Sequence, residues 1–82
     1  MPTRATSVVE RFPEYELTIE RLTRTDDSFG SMCDDHAAGV EALGRWQRSD
    51  DPRRTDRIDE LRDSLAELED EILRALEDAR SR

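Results

Sequence analysis

The chain is short of the residues that most often announce a function. It has no lysine, one cysteine, one histidine and only 5% aromatic residues in 82 positions. A single cysteine, Cys33, cannot form an internal disulfide, and the amino terminus lacks the basic start and apolar core of a secretory signal. A reducing, cytoplasmic setting is therefore expected. No apolar run exceeds about three residues, far short of the roughly 20 that cross a bilayer, so no membrane span is expected. The 13 basic residues are all arginine. That bias fits a GC-rich genome better than a function, because the planar guanidinium matters only at specific bidentate sites.

Apolar residues make up 34% of the chain against 41% charged. Such a chain either stays disordered or folds as helices with one apolar stripe each, and its length allows one domain with a thin core. Acids outnumber bases by 21 to 13, leaving a net charge of −8. Phosphate backbones and anionic membrane surfaces are repelled by such a molecule as a whole, so nucleic acid is not expected as a general partner.

What is present is periodicity. Residues 1–11 offer only Val8 and Val9 as aliphatic anchors, so this lead is expected to fray or to form a short helix that depends on docking. At Phe12-Pro13 a helix is expected to open, with Glu14 and Glu16 in its first turn, where the helix dipole favours acids. Tyr15, Ile19 and Leu22 then recur at helical spacing to about residue 25. Asp26, Asp27 and Ser28 can cap a second helix, 27–48, in which Phe29, Cys33, His36, Val40 and Leu43 alternate at four and three residues. Its three glycines, Gly30, Gly39 and Gly44, cost roughly 3 kcal/mol relative to alanine. Either a neighbouring backbone packs closely there, or the helix frays from Gly44 onward.

Ser49-Asp50-Asp51-Pro52 reads as a bend. Beyond it Ile58, Leu61, Leu65, Leu68, Ile72, Ala75 and Ala79 keep a faultless heptad register through a third helix, 53–80. The fold expected is all-α: three helices, the last two a long antiparallel coiled-coil-like hairpin. Leu73 and Leu76 fall outside the register and are expected to meet either the first helix or a second copy of the chain. A hairpin alone has little core, so a homo-oligomer, a dimer first of all, is the expected state.

Few residues suggest chemistry. Cys33 and His36 are the only soft metal ligands, three apart on one helical face. Two such pairs in a dimer could in principle form a zinc site, but a short pair without supporting groups is more simply read as seam residues, and neither metal nor cofactor is expected. His36, packed near Asp35 or the acidic last helix, is a candidate pH-sensitive seam residue. One histidine on a narrow hairpin offers no converging nucleophile, base and orienting group, so catalysis is not expected. Trp46, Arg53 and Arg54 at the bend, with Leu73 and Leu76, form the candidate interaction surface. The arginine-rich bend could dock nucleic acid or an acidic partner, or it could cap the helix ends and close the hairpin.

Phe12-Pro13-Glu14-Tyr15, then Ile19, Leu22, Phe29 and Asp34-x-His36, and finally Leu68-Glu69-Asp70-Glu71-Ile72, resemble the YdcH-like family of small bacterial proteins. The resemblance runs from Phe12 to Leu76 and implies a helical hairpin, with no established activity. The chain departs from the family pattern at Gly39-Val40, where Leu-Asp is usual, and at Glu69, where the family carries a lysine. The function expected is that of a self-associating protein–protein interaction or scaffolding module.

Overall fold

Capping residues and prolines cut the chain into helices, and each cut has a local cause. The structure, a computed structural model, describes residues 4–81; the first three residues of the expected lead lie outside them. Among the described residues there is no strand, and no helix is long and apolar enough to cross a membrane.

The lead takes the second of its two expected forms, a short helix α1 (Thr6–Arg11). Proline disfavours helical torsions in the residue before it, and Phe12 leaves the helix at φ −129°, ψ 64°. A single 3₁₀ turn (Pro13–Tyr15) follows, and α2 (Glu16–Thr25) continues from it. The described residues thus form four α-helices where the pattern suggested three after the lead. Proline's missing N–H suits the start of a helical turn, but here that turn is 3₁₀ and the α-helix proper begins three residues later.

One residue makes the corner between α2 and α3 (Asp27–Gln47). Asp26 is extended, and its carboxylate accepts the Phe29 N–H at 3.1 Å, so of the three candidate caps it is the one used. Six residues then lead to α4 (Arg54–Arg80). Within this bend Ser49 Oγ accepts the Asp51 N–H, Asp51 accepts the Arg53 N–H, and the Arg54 guanidinium donates to the Gln47 carbonyl at the end of α3.

Contacts between α3 and α4 advance in opposite directions along the two helices. Gln47 meets Arg54, Gly39 lies against Leu65, and His36 meets Glu69. The α3 glycines behave differently from either expectation. Helix α3 runs unbroken past Gly44 to Gln47, and the close neighbours are side chains, not a backbone. A Cβ at Gly39 would lie 2.7 Å from Leu65 Cδ2, and one at Gly30 would lie 2.8 Å from the Arg4 guanidinium. Omitting the methyl lets Leu65 seat on α3, which offsets some of the propensity cost.

The core sits at one end. Ala5, Val8, Phe12, Ile19, Phe29, Cys33, Ile72 and Leu76 are buried together, drawn from all four helices. Leu76, expected on a candidate interaction surface, is fully buried, and Leu73 is half-buried against the same cluster. The cause is α2, which lies over the end of α4: Arg80 stacks on the Tyr15 ring at 5.0 Å, and Arg21 approaches the Ala79 carbonyl at 3.5 Å. The first long helix therefore covers these leucines within its own chain. Toward the bend only Ile58 is buried, and α3 and α4 continue without α1 or α2 over them. The projection shows in the dimensions: 47 × 26 × 21 Å, with a radius of gyration of 13.8 Å against about 12 Å for a compact chain of this length.

Candidate functional site

Helix α1 with its flanking residues, 4–12, carries two stripes, and the second of them builds the most organised polar site among the described residues. Ala5, Val8 and Phe12 form the apolar stripe that enters the core. Arg4, Ser7 and Arg11, at the same three- and four-residue spacing, lie one position away and form a polar one. Arg4 makes a bidentate ion pair with Asp34 of α3, its Nε donating at 3.0 Å. Ser7 Oγ lies 2.8 Å from His36 Nδ1, and Arg11 Nε donates to Glu69 Oε1 of α4 at 3.1 Å.

His36 is the centre of this array. It is 2% exposed, and its Nε2 lies 2.8 Å from Glu69 Oε2. A carboxylate only accepts, so Nε2 carries a proton in either charge state of the ring. In the neutral ring Nδ1 accepts from the Ser7 hydroxyl; in the charged ring it donates, and the hydroxyl turns to accept. The continuous path Ser7–His36–Glu69–Arg11 ties α1, α3 and α4 together. No buried side-chain nitrogen or oxygen among the described residues is left without a partner.

Hydroxyl, imidazole and carboxylate in a row have the composition of an acyl-transfer triad. Such a triad also needs its hydroxyl at a cavity and donors for an oxyanion. Three surface depressions among the described residues are lined by other residues. Held as it is, the array can fasten helices, and it places a titratable ring against the acidic last helix.

No family model, curated protein or solved structure matches the chain.

The other residues singled out from sequence fall into separate places. Cys33 is buried in the core, where burial pushes its thiol above the ordinary range, partly opposed by a Thr23 hydrogen bond. Both His36 nitrogens are taken by Ser7 and Glu69, and among the described residues no three His, Cys, Asp or Glu side chains gather as metal ligands. At the bend Trp46 is half-buried with Arg53 over its ring at 5.9 Å. Arg53 also pairs with Asp51, whose carboxyl is held below the usual range chiefly by that guanidinium. Arg54 caps α3 and Arg57 pairs with Glu60. Three of the arginines at the bend are thus engaged inside the chain. Val40, expected in the seam, is 43% exposed.

Sequence reading named the acidic last helix as one of two surroundings for His36 but not Glu69 as the residue, and it missed Ser7. The signal was the offset pair of spacings in α1, residues 4, 7 and 11 beside 5, 8 and 12. It marks a short helix with one apolar and one polar contact line.

Proposed function

We propose that this chain is a helical protein–protein interaction module that pairs with a second copy along the α3/α4 section nearer the bend. The observation that carries the reading is the uneven cover of the α3/α4 stripe. Where α1 and α2 lie over it, Phe29, Cys33, Ile72 and Leu76 are buried; beyond, Val40 is exposed, and Leu43, Leu61 and Leu65 are half-buried. The opposed contacts of α3 and α4 support an antiparallel hairpin, and two such hairpins side by side complete a four-helix layer. The resemblance to the YdcH-like family, which implies a hairpin, belongs to the same reading. A binding role in a bacterial cytoplasm, with Cys33 reduced, is part of the same reading, as is a scaffolding rather than a catalytic task.

Sedimentation equilibrium tests it. The wild-type mass is expected to rise toward twice the monomer as concentration increases through the micromolar range, and Val40→Glu is expected to return it to the monomer. A monomeric wild type at high micromolar concentration overturns the reading. The alternative, docking of nucleic acid or an acidic partner at the bend, has less support because Arg53, Arg54 and Arg57 already serve Asp51, the Gln47 carbonyl and Glu60.

A further inference from the structure

The surface between α1 and α2 opens into two adjoining depressions of about 360 and 310 Å³ that share Ala5 and Glu20. Ala5 is buried at the bottom and Val9 is half-buried beside it. Around this apolar floor stand the exposed carboxylates of Glu10, Glu16 and Glu20, none of which forms an ion pair among the described residues. Leu17, beside Glu16 and one turn from Glu20, is 81% exposed. An isolated exposed leucine is ordinary on a protein surface. A leucine on the same helix as two of the three unneutralised carboxylates that rim an apolar floor is a different arrangement.

We infer that this groove docks a basic amphipathic helix of a partner protein. The match is one of charge and polarity together. Apolar side chains three and four apart on the partner would cover Ala5, Val9 and Leu17, and its cations would face Glu10, Glu16 and Glu20, the pattern of helix-in-groove recognition. Other occupants fit worse. Nucleic acid and anionic membranes are repelled by the rim as well as by the net charge of −8. A second copy brings the same net charge, and three of the arginines at its bend, Arg53, Arg54 and Arg57, are engaged with Asp51, Gln47 and Glu60. Arg24 lies at the Thr23 end of the groove, so the partner's cations belong at the opposite end, near Glu10 and Glu16. The groove uses α1 and α2 and is independent of the pairing face on α3 and α4, so failure of either leaves the other standing.

The test is fluorescence anisotropy with a labelled synthetic peptide carrying leucines on one helical face and lysines on the other, titrated with the full chain. Saturable binding is expected, and it should be lost when the same residues are scrambled out of their amphipathic order. Glu16→Gln/Glu20→Gln is expected to weaken binding about tenfold, as removal of two rim charges should. Leu17→Ser should weaken it further. The control Glu67→Gln/Asp70→Asn removes as much charge from the exposed face of α4 and should leave affinity within about twofold. Equal losses in the two charge variants, equal binding of the scrambled peptide, or no saturable binding would each overturn the proposal.

Discussion

The two ends of the molecule solve the same problem differently. Both are built on the α3/α4 pair, and both present an apolar stripe too narrow to bury itself. At one end α1 and α2 complete the layer, and Phe29, Cys33, Ile72 and Leu76 fall to 1% exposure or less. At the other end only Ile58 is buried, with a folded bend held mainly by polar bonds. A faultless heptad pattern thus does not by itself say which part of a helix pair is covered; neighbours outside the pattern decide it.

The comparison can be broken most sharply by cavity-forming substitutions. Ile72→Ala, at the covered end, is expected to cost about 3 kcal/mol, whereas Leu61→Ala, half-buried near the bend, should cost about 1 kcal/mol. Urea unfolding of both at low protein concentration measures the difference, and similar losses would mean that the two ends are equally well packed. If self-association covers Leu61, the penalty there should grow with protein concentration, while that of Ile72→Ala should not.

The polar array at the covered end comes next. His36→Ala removes two buried hydrogen bonds and leaves Glu69 with Arg11 and solvent, at an expected cost of about 2 kcal/mol, against about 1 kcal/mol for Ser7→Ala. A His36→Ala protein as stable as wild type would show that the array contributes little to docking. Near the bend, Gly39→Ala pits the gain in helix propensity against a shift of the Leu65 methyl, so its stability should stay within about 1 kcal/mol of wild type. A larger loss would show that Leu65 is locked where the half-buried environment suggests it can give.

The smallest effect concerns acid. Arg4 holds the Asp34 carboxyl below its ordinary range through their direct hydrogen bonds. A depressed folded-state value means that the unfolded chain takes up the proton first. The pair's contribution is therefore present above the ordinary carboxylate range and lost as pH falls through the depressed value. Melting temperatures of wild type and Asp34→Asn should differ slightly at neutral pH, more at low salt, and converge in acid. A gap that persists in acid would assign the effect to something other than this ion pair.

Much of the fold was legible in the pattern because helix ends carry local chemistry. Asp26 caps α3, and the bend lies at Ser49-Asp50-Asp51-Pro52, leaving the observed boundaries of α3 and α4 within one residue of those expected from sequence. What was not legible depended on contacts distant in sequence. Leu76 breaks the heptad, and the pattern left open whether the first helix or a second copy meets it; α2 does, a third neighbour that the heptad does not describe. Val40 sits in register and is nonetheless exposed, because nothing lies over that stretch. His36 was recognised as a titratable seam residue, while Ser7 and Arg11, 29 and 58 residues from their partners, carry no local signal linking them to it. Glu69 was noted only as a charge reversal against the family lysine. In place it serves His36 with one oxygen and Arg11 with the other, and a lysine there would repel Arg11.

The division of α1's partners between two helices sets an order of assembly. Arg4 and Ser7 reach α3, and Arg11 reaches α4, so the surface that receives α1 does not exist until those two helices have met. Helix α1, which precedes both of them along the chain, is then the last to find its place. Its six-residue helix cannot persist alone, so its release is expected as a local opening that precedes global unfolding. Amide hydrogens of Val8 and Val9 should accordingly exchange at a lower free energy than those around Ile72.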